Sequence, residues 1–231
     1  MSNLLSIDTN AKTIKGQKKG FMTGILYLAP SNESGAMNTC PQASAGCRAA
    51  CLYTAGRGRF NNVKDARIRK TKEFVYNREG FMLQLANDIR SLVKKAERAG
   101  MIPCVRLNGT SDIAWEDVKV EGARNIFELF NSIQFYDYTK RVERLVSFRV
   151  SPIKNYHITF SRSESNELKT NLAMSLGHNI AVVFKDIPER WQGWEVVSGD
   201  ESDLRFLDKD NVIVGLKAKG DAKKDKIGFV V

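Results

Sequence analysis

Three of the four cysteines of this chain lie in one short stretch, CPQASAGCRAAC, as Cys40, Cys47 and Cys51 with the spacing C-x6-C-x3-C. Three thiols this close together in a reducing compartment are typical of metal ligation, because structural cysteines are usually scattered over strands and helices. The sequence therefore predicts a metal-cluster loop at 40–59. Cys104 lies in the apolar stretch IPCVRL and is predicted to be a core residue.

The cysteine count favours one kind of metal centre over another. Structural zinc usually takes four protein ligands, which would require Cys104 or one of the two distant histidines, His157 and His178. A [4Fe–4S] cluster is the better match, because three cysteines can hold three irons and leave the fourth open to a small ligand. A disulfide is disfavoured by the odd number of thiols and by a reducing compartment. An iron–sulfur cluster is thus the prediction, with zinc as the alternative.

The stretch that follows the cysteines, LYTAGRGRF, is rich in glycine and arginine. Glycines at 56 and 58 allow the backbone to approach a bound anion, and Arg57 and Arg59 add positive charge. We therefore predict that Arg57 contacts a cofactor.

The pattern of apolar residues predicts the strands and helices that must position this loop. GILYLAPS at 24–31 is predicted to be a buried strand that leads into the cysteine loop, after an N-terminal extension at 1–23. A helical pattern fills 61–99, with a break at Arg78-Glu79-Gly80. Further strands are predicted at 102–107, 133–138, 156–161, 180–184, 194–198 and 212–216, and in the final IGFVV. Strands that alternate with helices indicate an α/β fold with a parallel sheet. We expect one domain, 1–231, forming a complete or partial TIM-like β/α barrel.

Polar residues follow each predicted strand, as in RLNGTSD, FYDYTKR and TFSRSE. In a β/α barrel these ends meet at the carboxyl face, where such enzymes build their sites. The candidate catalytic residues are Arg106, Asn108, Asp112, Asp137, Tyr138, Lys140 and Glu164, with Ser161 and Arg162 beside them. The candidate cofactor-binding residues are Arg57, Asn108, Gly109 and Ser111.

Charge and hydropathy set limits on partners and location. The net charge of +10 is consistent with an anionic small molecule or a nucleic acid, and equally with simple solubility. No apolar run approaches the roughly 20 residues that span a bilayer, and the N-terminal stretch lacks the pattern of a secretory signal. We expect a cytoplasmic protein that does not enter a membrane. The sequence indicates neither the substrate nor the oligomeric state.

Several long motifs carry a family resemblance. They are LLSIDTNAKTIKG, GFMTGILYLAPSNESG, CPQASAGCRAACLYTAGRGR, RLNGTSDIAWE and FYDYTKR. Together they resemble the bacteriophage gene product 88 family, from near residue 4 to beyond residue 165. This resemblance implies a phage-encoded protein that works in the cytoplasm of the bacterial host.

A looser resemblance is to radical S-adenosylmethionine enzymes, which bind [4Fe–4S] through three cysteines after the first barrel strand. It implies that Cys40, Cys47 and Cys51 ligate the cluster and that S-adenosylmethionine occupies the open iron. This chain departs from the C-x3-C-x2-C spacing of that superfamily and lacks its glycine-rich strand-end motif, for which RLNGTSD is the candidate substitute. Three hypotheses result. The first is an iron–sulfur protein, in its most concrete form a radical S-adenosylmethionine-like enzyme. The second is a metal-stabilised nucleic-acid-binding protein without catalysis, and the third is a non-enzymatic structural or interaction factor of the phage.

Overall fold

The computed structural model describes residues 3–7 and 11–231. The strands are β1 (Leu5–Ile7), β2 (Phe21–Leu26), β3 (Ile102–Arg106), β4 (Gln134–Thr139), β5 (Tyr156–Ser161), β6 (Ile180–Phe184), β7 (Arg190–Trp191), β8 (Trp194–Ser198) and β9 (Ile213–Lys217). The α-helices are α1 (Ala11–Gln17), α2 (Ala45–Ala49), α3 (Asn61–Tyr76), α4 (Arg78–Arg98), α5 (Ile126–Leu129), α6 (Val142–Val150) and α7 (Glu167–Ser175). Short 3₁₀ helices span Leu52–Thr54, Gly56–Arg59, Trp115–Asp117, Arg205–Leu207 and Gly220–Lys224.

The nine strands form one sheet in the order β1-β2-β3-β4-β5-β6-β9-β8-β7. Neighbours from β2 to β8 are parallel, whereas β1 and β7 pair antiparallel at the two edges. The predicted α/β fold with a parallel sheet is confirmed. A complete barrel was the wrong expectation: β9 inserts between β6 and β8, the antiparallel β7 ends that side, and β1 ends the other, so the described sheet stays open.

The six strands predicted between 102 and 216 match β3 to β6, β8 and β9 to within one residue, whereas β7 was not predicted and the two ends of the chain also differ from expectation. The stretch predicted as an N-terminal extension, 1–23, contributes β1, α1 and the start of β2, and the first strand lies earlier than 24–31. The terminal IGFVV forms a single bridge, between Val230 and Val183, instead of a strand. Within the described residues, no helix has the length and apolar character needed to cross a bilayer.

Helices α3 and α4 meet at Asn77, next to the predicted break. The Asn77 side chain accepts a hydrogen bond from the Gly80 backbone N–H at 3.3 Å and begins α4. Along α4, the buried Phe81, Leu85 and Ile89 recur at helical spacing and pack on the sheet. The helix lies so near β2 that a Cβ at Gly24 would be 2.9 Å from the Leu92 side chain.

The two faces of the sheet are covered differently. Strands β2 to β6 are neighbours in chain order, and right-handed crossovers between such strands put their helices on one face. On that face Val105 packs in the same core as residues of α4, α6 and α7. On the other face Cys104, fully buried as predicted, packs with Tyr136 and Leu204. The segment after β8 therefore covers the face opposite α4, α6 and α7, where Leu204 also lies against Gly16 of α1.

Candidate cysteine-loop site

The three clustered cysteines lie at the carboxyl edge of the parallel strands, as their position after β2 predicts. All three are free and partly buried. Cys40 donates a hydrogen bond from Sγ to the carbonyl of Thr110, in the loop after β3, at 3.6 Å. Cys47 lies in α2, where Ser44 accepts from its backbone N–H at 3.1 Å, and Cys51 follows that helix. The loop 40–59 is thus mostly short helices anchored to neighbouring strand ends.

The thiols influence each other electrostatically. Burial raises the pKa of Cys40, and it raises the pKa of Cys51 to about 11, with further contributions from negative charge at Cys47. Within residues 3–7 and 11–231, no group of three or more His, Cys, Asp or Glu side chains is arranged to hold a metal ion. The thiols therefore share one loop without a preformed coordination geometry, and they would have to converge on a metal as it binds.

The remaining residues considered for zinc lie elsewhere. Cys104 is on the sheet face opposite the helices and hydrogen-bonds Thr23 at 3.2 Å. His157 and His178 line a cavity of about 440 Å³ at the amino end of β5 and β6, whereas the cysteine loop is at the carboxyl end. A zinc site on the three cysteines would therefore need a fourth ligand other than these residues.

Asn108, a candidate for both catalysis and cofactor binding, is a structural hub. Its Oδ1 accepts from Ser111 Oγ at 2.8 Å, from Ile113 N at 2.9 Å and from Trp115 Nε1 at 3.1 Å. Its Nδ2 donates to the Ile113 carbonyl at 3.0 Å, and its backbone N donates to Asp137 Oδ1 at 2.7 Å. With 3% exposure and every side-chain polar atom engaged, Asn108 shapes the loop after β3 and leaves no group for a ligand.

Asp137 and Asp112 belong to a buried ionic network on the helix side of this edge. Asp137 is fully buried, accepts from Tyr156 Oη at 2.9 Å, and has a pKa raised to about 7 by burial. Asp112 accepts from Thr139 Oγ1 at 2.7 Å and forms an ion pair with Arg144 at 3.2 Å.

Arg144 also pairs with Glu116, at 2.7 Å. Sequence reasoning missed Arg144, Glu116 and Tyr156. One feature of the sequence could have identified Arg144. It is a single arginine on the apolar face of α6, and a buried arginine requires acidic partners.

Arg106 and Tyr138 face the other way, because successive residues of a strand point to opposite faces of the sheet. Arg106 forms an ion pair with the buried Asp203 at 2.9 Å, and its guanidinium lies 4.7 Å from the centre of the Tyr138 ring. These two candidates are therefore separated by the sheet from Asp137, and the predicted strand-end residues do not share one cavity.

Lys140, Ser161 and Glu164 lie at the ends of β4 and β5, and Glu164 contacts the cysteine loop directly. Lys140 Nζ donates to Ser161 Oγ at 2.6 Å. Glu164 accepts from Ser44 Oγ and from Gly46 N, both at 2.8 Å, and so holds α2 against the end of β5. Arg162 instead donates a hydrogen bond to the Gly228 carbonyl, near the C-terminal end of the chain, at 2.6 Å.

The glycine and arginine candidates play different parts. Gly109 lets two strand ends approach, since a Cβ there would lie 2.6 Å from the Tyr27 ring. Arg57 and Arg59 are exposed on the 3₁₀ helix that follows the cysteines. Arg67, on α3, was not predicted to be functional, yet it is buried beside Cys51.

Comparison with known proteins gives one match. A family model described as Gene product 88 matches residues 3–231, which extends the resemblance seen in the motifs to almost the whole chain. The searches of curated proteins and of solved structures gave no match. None of the three comparisons supports the looser resemblance to radical S-adenosylmethionine enzymes.

Proposed function

This chain belongs to the gene product 88 family, and we propose that it binds a [4Fe–4S] cluster through Cys40, Cys47 and Cys51. The observation that carries the proposal is the placement of three free thiols on one anchored loop at the carboxyl edge of a parallel sheet. Cys40 is tied to the loop after β3, and the helix that carries Cys47 is tied to the end of β5. These anchors fix the loop to two neighbouring parts of the carboxyl edge, and the thiols would have to converge as the cluster binds.

The donor set fits an iron–sulfur cluster better than zinc. Thiolates are the usual ligands of such clusters, and three of them leave one iron open. Structural zinc requires a fourth protein ligand, which neither histidine supplies from the opposite edge of the sheet. Open parallel sheets bind ligands outside the carboxyl ends of their strands, which is the edge where this loop lies.

A bound cluster of this type supplies one-electron transfer and, with S-adenosylmethionine at the open iron, the means of making a carbon radical. The chain's own residues would then bind and orient a ligand at this edge. Lys140, held by Ser161, places a buried positive charge near Phe229, at 5.6 Å from its ring. Glu164 keeps α2 and its cysteine in position. We propose the radical enzyme as the more specific form of this function.

Anaerobic reconstitution with iron and sulfide tests the cluster. We expect a brown protein with about four irons per chain, because the cluster type fixes the stoichiometry. Cys40→Ser, Cys47→Ser and Cys51→Ser should each lose most of the iron, while Cys104→Ser, the matched control, should keep it. A colourless protein that holds only zinc, or equal iron in all four variants, would refute the proposal.

The enzyme form has its own test. S-adenosylmethionine added to the reduced, reconstituted protein should change the electron paramagnetic resonance spectrum of the cluster and release 5′-deoxyadenosine. If the cluster is present but neither effect occurs, the radical enzyme is excluded and cluster binding still stands.

A second function, nucleic-acid binding, is favoured by the surface beside the cysteines. Arg57, Arg59 and Phe60 are exposed there, with Phe60 at 60%. Arginines contact phosphates and an exposed aromatic ring can stack on a base. Binding of single-stranded DNA or RNA should weaken steeply with salt and fall in Arg57→Ala/Arg59→Ala, but not in Lys223→Ala/Lys224→Ala. Absence of binding at low salt would reject this function.

A further inference from the structure

Arg67 is a buried cation that forms no ion pair with an acidic side chain of residues 3–7 and 11–231. The residue is 9% exposed, on the inner side of α3. Within the described residues, nothing accepts a hydrogen bond from its Nε or Nη1. Burying an ionised group is unfavourable unless the group is paired and hydrogen-bonded. An arginine that keeps unpaired N–H groups in such a position is therefore a candidate for ligand binding.

Two tyrosines flank the guanidinium. Its central carbon lies 4.9 Å from the ring centre of Tyr27 and 5.6 Å from that of Tyr53. Attraction between a cation and aromatic faces offsets part of the cost of burial, but it satisfies none of the N–H donors. The tyrosines thus hold the guanidinium in place and leave Nε and Nη1, both buried, without an acceptor among the described residues.

The group lies at the same edge of the sheet as the cysteine loop. Tyr27 directly follows β2, and it packs against Gly109 after β3. Tyr53 lies in the 3₁₀ helix next to Cys51, and Cys51 itself acts electrostatically on Arg67. Arg67 is therefore positioned beside Cys51 of the proposed cluster site, next to the end of β2.

We propose that Arg67, between Tyr27 and Tyr53, binds the carboxylate or phosphate group of a small molecule at the cysteine loop. A planar guanidinium matches the oxygens of these two groups, and hydrogen bonds between them are stronger than neutral ones. The location rests on the proposed function, since the ligand would lie beside the cluster. The anion site itself needs no iron, and it can be tested without it.

Calorimetric titration of the full-length, iron-free protein tests the site, with inorganic phosphate and acetate as probes. Wild type should bind at least one of them, and the anion that binds should raise the melting temperature. Arg67→Met should bind at least tenfold more weakly. Arg69→Met, which removes an exposed arginine two residues further along the same helix, should bind as wild type does.

Arg67→Lys keeps the positive charge but not the planar donors, so it should fold and bind more weakly than wild type. It serves as the decisive variant if Arg67→Met does not fold. Equal affinity in wild type and Arg67→Lys, or no binding of either anion by wild type, would overturn the anion site. Loss of iron from the cysteine variants is measured separately, so failure of the cluster and failure of the anion site are distinguishable.

Discussion

Glu164 and Gly46, which are 118 residues apart in the sequence, are joined by a hydrogen bond of 2.8 Å from the backbone N–H to the carboxylate. The other carboxylate oxygen accepts from the Ser44 hydroxyl. A Cβ on Gly46 would lie 2.8 Å from the Glu164 carboxylate and 2.6 Å from Phe229, so only glycine fits. The helix that carries Cys47 is thereby held by the end of β5.

Glu164→Gln should weaken this attachment. The amide keeps one acceptor oxygen but loses the charge, and hydrogen bonds to charged groups contribute about 1.5–3 kcal/mol. Because Glu164 is partly exposed, we expect a loss of about 1 kcal/mol in urea unfolding, and less iron retained after reconstitution. Glu167→Gln, at an exposed carboxylate on α7, is the matched control and should change neither. Unaltered iron retention in Glu164→Gln would show that the attachment does not hold the loop.

Asn108→Ala should be among the most destabilising single changes at this edge. It removes the acceptor for Ile113 N and Trp115 Nε1, and buried groups left unsatisfied cost about 1–3 kcal/mol each. We expect a loss of about 3 kcal/mol or more by urea denaturation. Asn87→Ala, which removes one exposed hydrogen bond to Arg90, should lose less than 1 kcal/mol. Similar losses in the two variants would contradict the role of Asn108 as a hub.

Much of the fold was predictable because β3 to β6, β8 and β9 are short apolar runs, most of them largely buried and β8 half-buried. The edge strand β1 was not predictable, since a strand of three residues with one buried face carries almost no pattern of apolar residues. The prediction of a closed barrel was wrong for a related reason. The position of β9 between β6 and β8 depends on pairing between distant segments, which a local pattern does not show.

The candidate site was predictable to a similar degree. A loop after a parallel strand must lie at the carboxyl edge, which located the cysteines. Adjacent residues alternate across a strand, so Asp137 and Tyr138 could have been separated from the sequence alone. The burial of Arg67 could not be predicted, because the neighbouring sequence does not indicate which residue of a basic helix packs inward.

The raised pKa of Asp137 predicts an unusual pH dependence. Burial lifts this pKa to about 7, above the value of about 3.9 in the unfolded chain. Between these pH values the folded state binds more protons, so rising pH removes stability, by up to about 1.4 kcal/mol per pH unit. The stability of Asp137→Asn relative to wild type should therefore increase from pH 4 to pH 7 and change little above it.

Urea unfolding of both proteins at several pH values measures this difference. The asparagine retains an acceptor for Asn108 N, but its amide N–H replaces the carboxylate oxygen that accepts from Tyr156 Oη, so the comparison rests on the change of the difference with pH and not on its size at one pH. A constant difference across the range would mean that burial does not raise the pKa of Asp137.

The Arg106–Asp203 pair offers a last prediction, on the face opposite the helices. Asp203 is 2% exposed and also accepts from Tyr136 Oη at 3.2 Å, so its charge is balanced almost wholly by Arg106. Asp203→Leu leaves a buried, unpaired guanidinium and should cost about 3–5 kcal/mol. Arg106→Met/Asp203→Leu should recover most of that loss, because apolar groups of similar size often replace a buried ion pair without penalty. A double variant no more stable than Asp203→Leu would mean that the pair contributes through packing instead of charge, and urea unfolding of the three proteins decides between these outcomes.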